Sequence, residues 1–172
     1  NLNIAKSLFN MSIVVVFVLI GQIALGGWVS SNYAALACVD FPQCQQSWWP
    51  AMNFKDAFVL WRGLGVDYEF GVLDHPARVA IHYAHRMGAV VATLAIVFYA
   101  TRLWKHTDTR QLLKTNAMVI SGLLAFQICL GISNVIFKLP LAVAVLHNGV
   151  ALLLLFSLVT SIYMLKSARI NH

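Results

Sequence analysis

His85 and His147 each lie inside a long apolar stretch of a 172-residue chain. Imidazole is a common metal ligand, and an ionisable side chain in hydrocarbon is costly enough to be kept facing a buried site or a pathway. Two such rings facing each other from neighbouring helices can clamp one haem iron as its axial ligands. The alternative use of the pair is as packed, hydrogen-bonded side chains that hold no metal.

The elements that must position them are legible in composition. Sixty per cent of the residues are hydrophobic and 10% are charged, far from the balance of a water-soluble domain. Four stretches reach the roughly 20 apolar residues a membrane span requires: Leu8–Ser30, Val79–Thr101, Ala117–Phe137 and Leu141–Leu165. Only the second contains a charge, Arg86. In lipid such stretches form helices, which satisfy their own backbone hydrogen bonds. The expected fold is all-α: a single four-span domain over residues 1–172, a polytopic membrane four-helix bundle with a long loop over residues 31–78.

Charge orients the bundle. Lys6, the group Arg102, Lys105, Arg110 and Lys114, and Lys166 with Arg169 fall on one side of a four-span arrangement. The long loop carries Asp40, Asp56, Asp67, Glu69 and Asp74 on the other. The positive-inside rule places both termini in the cytoplasm and exports the loop. The net charge of +6 is therefore an orientation signal and not a footprint for nucleic acid. The chain opens with Asn1 and runs almost at once into a full-length span, too long for a secretory signal. It reads as a piece of something longer.

In the exported loop, Cys38 and Cys44 flank five residues that include Pro42. An oxidising location suits a structural disulfide. A redox-active pair would favour Cys-x-x-Cys spacing, and a zinc site would need more ligands than His75. Cys129, alone in the third span, is expected as inert packing. The stretch Gln43–Leu64 is rich in aromatics, among them Trp48, Trp49, Phe54, Phe58 and Trp61. These suit an interfacial anchor, with a lid over a pocket as the other reading.

Asp74 followed by Pro76 is a helix-opening pattern, and Pro140 opens the fourth span similarly. His85 and His147 then lie about 13 Å and 10 Å along helices running in the same direction, at 1.5 Å per residue. Gly88, Ala89 and Ala92 share the His85 face, and Ala144 and Ala151 flank His147, leaving room for a flat ligand or a close helix. His82 lies one turn from His85 and could support the ligand histidine, serve as a substrate-side ligand or carry a proton. Arg86 and Arg78 are candidates to pair a haem propionate. Gln22 and Gln127 are expected in interhelical hydrogen bonds.

Several of these residues fall in motifs. The run Gly26-Gly27-Trp28-Val29-Ser30-Ser31-Asn32-Tyr33-Ala34-Ala35-Leu36-Ala37-Cys38, with Asp40-Phe41-Pro42, Cys44 and Trp48-Trp49-Pro50, resembles haem A synthase. So does Leu73-Asp74-His75-Pro76-Ala77-Arg78-Val79-Ala80-Ile81-His82 followed by Ala84-His85-Arg86. The resemblance covers nearly the whole chain and is to the second of the two similar four-helix halves of the bacterial enzyme. It implies a multi-pass protein of the bacterial inner membrane with His85 and His147 as axial ligands of a haem b cofactor. It also implies Cys38–Cys44 as a loop disulfide and oxidation of a methyl group of haem O to the formyl group of haem A. Implied partners are the missing first half or a second copy, the haem O substrate and, beyond it, haem O synthase and cytochrome oxidase assembly factors. One position departs from the pattern: the first half carries a catalytic Glu where this chain has His82. By that comparison this chain alone lacks the complete substrate site. A four-helix haem b electron-transfer protein and a non-catalytic oxidase assembly subunit are the rival expectations. A membrane thiol oxidase would need a Cys-x-x-Cys that is absent.

Overall fold

The computed structural model describes residues 2–61, 63, 71–106 and 111–170. Asp67, Glu69 and Arg110 of the charge argument, and Leu64 at the end of the aromatic stretch, lie outside them. The described chain forms five helices: α1 (Leu2–Ser31), the short α2 (Phe54–Ala57), α3 (His75–His106), α4 (Gln111–Ile136) and α5 (Leu141–Ile170). Four of them are long and apolar enough to cross a membrane. The fold is all-α, as composition requires, and the chain is a multi-pass membrane protein.

The long helices run beyond their apolar stretches at several ends, because polar and capped turns continue the backbone ladder into the headgroup level. Asp74 caps α3, its carboxylate accepting from Ala77 N at 3.0 Å. At the other end of the same connection α1 stops with Tyr33 in the left-handed region (φ 52°) and Ala34 N donating back to Val29 O at 2.9 Å. α4 stops in the same way, with Lys138 and Leu139 at positive φ and Leu139 N donating to Asn134 O at 2.7 Å. The six-to-one bond satisfies a terminal carbonyl that would otherwise be orphaned.

Around the bundle α1 neighbours α3, α3 neighbours α4, α4 neighbours α5, and α5 closes back on α1. This is an up-down-up-down arrangement in which α3 and α5 face each other across a diagonal. The half of the bundle nearer the termini is tightly filled. Leu8, Ser12, Val15 and Leu19 of α1 are buried, and at one constant sequence offset so are Leu113, Ala117, Ile120 and Leu124 of α4. Ala92, Ile96, Tyr99 and Leu103 of α3 are matched likewise by Leu154, Leu158, Ser161 and Leu165 of α5. The hairpin α1–α3 and the hairpin α4–α5 thus present the same register to the interior. Asn116 ties the second hairpin, donating to Ser157 O at 3.1 Å and accepting from Ser161 Oγ. Large apolar side chains such as Phe17, Leu94, Phe98 and Phe156 point outward, where a lipid-facing surface puts them. In lipid, close van der Waals fit and interhelical polar bonds hold helices together. Cys129, expected in packing, instead lies on this outward surface. The reason is that α4 turns its 113–117–120–124 stripe inward, which leaves position 129 facing out.

The connection from α1 to α3 folds back over the end of the bundle. Cys38 and Cys44 are joined as a disulfide, both buried. α2, which the sequence did not announce, is capped by Asn53 and seated by Trp28 Nε1 donating to Ala57 O at 2.9 Å. Trp48, Trp49 and Trp61 are largely exposed.

Candidate functional site

Between the filled half and the folded connection lies a layer built differently. Across residues 20–28 of α1, 83–91 of α3, 125–134 of α4 and 141–149 of α5, Leu130 is the one buried side chain among the described residues. His85 and His147 sit in this layer, on the diagonal helices α3 and α5. Helix axes 8–10 Å apart give a diagonal of roughly 11–14 Å, which accommodates a planar group between two imidazoles.

Each ring is gripped by the adjoining helix. Gln22 of α1 places Nε2 3.1 Å from His85 Nδ1 and donates to His85 O at 3.0 Å. Gln127 of α4 places Nε2 3.3 Å from His147 Nε2. One turn on from each glutamine is a glycine. A Cβ on Gly26 would come within 3.2 Å of His85 Cε1, and one on Gly131 within 3.2 Å of His147 Cε1. Gly88 makes room for the Gln22 carboxamide itself, since a Cβ there would run into Gln22 Oε1. The expected interhelical role of Gln22 and Gln127 is met, and their partners are the two histidines. The signal was present in the sequence as an internal repeat: Gln22-Ile23-Ala24-Leu25-Gly26 and Gln127-Ile128-Cys129-Leu130-Gly131.

The remaining site residues serve the connection. His82 is buried, its Nδ1 3.0 Å from Ala34 O at the end of α1. Arg86 donates to Gln43 O at 2.7 Å, Asp40 O at 2.8 Å and Cys38 O at 3.0 Å, and its guanidinium lies over Phe41. A cation surrounded by carbonyls organises the disulfide loop as a metal would. Arg78 lies two turns from His85 on the same face of α3, and its Nε is buried without a partner. Asp40 accepts from Gln46 N at 2.8 Å and Gln45 N at 2.7 Å. The Gln46 bond foremost holds its carboxyl below the ordinary value of 3.8. His75 is occupied by Gln45 Nε2, and no cluster of three metal-ligating side chains occurs among the described residues.

The donor set fits a haem: two imidazoles on opposing helices, a surrounding layer with few buried side chains, and partnerless buried atoms at His147 Nδ1, Gln22 Oε1 and Gln127 Oε1. Bis-imidazole ligation of iron in a helical bundle uses these parts.

A family model described as cytochrome oxidase assembly protein matches residues 1–159. The chain belongs to that family. It is 48% identical over 160 residues to the heme A synthase of Shewanella oneidensis, covering 93% of this chain and 47% of the relative. It is 25% identical to that of Orientia tsutsugamushi, covering 90% and 39%, and 29% identical to that of Brucella ovis, covering 82% and 36%. The chain thus spans less than half the length of these curated relatives. No solved structure matches it. The motifs that carried the resemblance occupy defined places in this member of the family: Gly26 seats a histidine, Trp28 seats α2, and Asp74 caps α3.

Proposed function

We propose that this chain is the cofactor-binding half of a haem A synthase, with His85 and His147 as the axial ligands of a haem b. What supports the reading is the gripping of both histidines, at one level of the bundle and on diagonal helices, by matched Gln–Gly pairs. The family supplies the reaction: oxidation of a methyl group of haem O to the formyl group of haem A, a multi-electron oxidation. Bound haem b would supply the one-electron relay that such chemistry needs. The protein's own contribution is placement. Glycines keep the ligand rings at fixed depth, and the filled half of the bundle blocks displacement toward the termini. Arg86 and the disulfide fix the connection over the opposite side.

Arg78 and Arg86 each keep a buried Nε without a hydrogen bond toward a propionate, and Arg86 in addition commits both Nη atoms to loop carbonyls. His82 is a positioning group for the connection in this reading, because its Nδ1 is committed to Ala34 O. The substrate haem and its catalytic carboxylate then belong to another four-helix unit, either the missing half or a second copy. The loop faces the exported side of the bacterial inner membrane, with both termini cytoplasmic.

Co-expression of this chain with its complementary four-helix half in a membrane making haem O, followed by extraction and chromatography of haems, tests the assignment. Haem A should accumulate with the parent and disappear with His85→Ala or His147→Ala. Formation of haem A that survives both substitutions would overturn it.

A further inference from the structure

We infer that Gln22 and Gln127 are positioning residues for the haem centre: each carboxamide accepts the ring N–H of its histidine and so sets the electron donation of that ligand to iron. The inference rests on the bis-histidine reading above and extends it to two residues with no assigned role. A neutral imidazole that gives one nitrogen to a metal carries its proton on the other, and that N–H needs an acceptor in a water-poor site. Gln22 and Gln127 are the side chains hydrogen-bonded to these rings, at 3.1 Å on His85 Nδ1 and 3.3 Å on His147 Nε2, which leaves His85 Nε2 and His147 Nδ1 to the metal.

Each glutamine also holds a spare acceptor. Gln22 Oε1 and Gln127 Oε1 are both buried and both without a partner, an arrangement that is costly if nothing uses it. A half-turn of the Gln127 carboxamide brings its oxygen to the ring N–H; for Gln22 the same half-turn also gives up the bond from Nε2 to His85 O at 3.0 Å, so that carbonyl must shift to another donor. The placement is repeated and not incidental: both glutamines sit one turn before the glycine that seats the same ring, and both lie at the same distance from the end of their helix. Gly88 is part of this device, because any side chain there would evict the Gln22 carboxamide. An N–H held by an amide oxygen makes the imidazole a stronger donor, favours ferric iron and lowers the midpoint potential.

The test uses the whole chain, purified with haem supplied during expression, and reads haem affinity, midpoint potential and low-spin electron paramagnetic resonance. Gln22→Leu and Gln127→Leu should each weaken haem retention about 10- to 100-fold and raise the potential. Gln22→Glu and Gln127→Glu keep an acceptor of the same shape and should hold affinity near the parent, with the potential at or below the parental value. That opposite ordering of leucine and glutamate is what a merely structural glutamine would not give. Leucine variants with parental affinity, potential and resonance would overturn the inference while leaving the histidine assignment intact. A parent chain that binds no haem, or whose haem survives His85→Ala and His147→Ala, would overturn both.

Discussion

The α1–α3 hairpin turns through a long connection held by a disulfide, a buried histidine and an arginine, whereas α4–α5 turns within Phe137–Pro140. Below those turns the two hairpins are alike. They bury side chains at corresponding positions, end α1 and α4 with the same six-to-one bond, and grip one histidine each with a glutamine and a glycine. What is repeated is the apparatus that sets the depth and angle of a ring; what differs covers one side of the layer. His85 has Arg86 beside it, spent on three loop carbonyls, while His147 has the exposed Asn148. The difference separates gripping a histidine, which both hairpins do, from covering the layer, which one does.

The largest effect should come from the clamp. Arg86→Met strands three loop carbonyls and should lower stability by about 3–5 kcal/mol, read by denaturation in detergent, while Asn148→Ala stays within about 0.5 kcal/mol of the parent. Equal costs at the two positions would erase the distinction. Next comes the disulfide. Replacing Cys38 and Cys44 by serine frees a short closed loop and should cost about 2 kcal/mol on the chain-entropy account, with haem retained because neither ring loses a contact.

Substitutions in the shared apparatus should instead behave as a pair. Gly26→Ala and Gly131→Ala each set a methyl 3.2 Å from a histidine Cε1. The gain in helix propensity, up to about 1 kcal/mol, offsets much of the crowding. Both variants should therefore fold, and both should loosen haem to a similar degree in a haem-transfer assay. Loss in one hairpin alone would break the correspondence.

The smallest effect is a pH dependence of the loop. Asp40 has its carboxyl lowered below 3.8, chiefly by the Gln46 amide. Its contribution is thus complete above that value and is lost as pH falls through the lower folded value. Relative to a small unstructured disulfide reduced by the same phosphine at each pH, the rate of opening Cys38–Cys44 should stay flat above pH 4 and rise only in stronger acid. Asp40→Asn should remove the acid limb; a rise centred near neutrality would point to another group.

Much of this architecture was readable beforehand, for physical reasons that differ by element. Hydropathy alone identifies four spans because lipid permits little else, and Asp74 with Pro76 announces the start of α3. Helix ends were less legible, since Tyr33, Lys138 and Leu139 take left-handed conformations with no glycine to signal them. The histidines stood out as intramembrane ionisable groups. Their supports did not, because a glutamine or glycine in a span has many ordinary uses and becomes informative only as a repeated pair. Arg86 was expected to seek an anion. Its partners are main-chain carbonyls brought back by a loop whose path composition does not encode, and Cys129 was misplaced because a lone cysteine does not reveal which stripe of α4 faces inward.

The central claim is that one haem is held between the two hairpins by His85 and His147. The direct measurement is haem content and the oxidised and reduced absorption spectra of the purified chain beside its two single alanine variants. One low-spin bis-imidazole haem per binding unit in the parent, lost equally from His85→Ala and His147→Ala, is the predicted result. Haem retained at parental stoichiometry and spin state in either variant, or a parent that takes up none when haem is abundant, would contradict it.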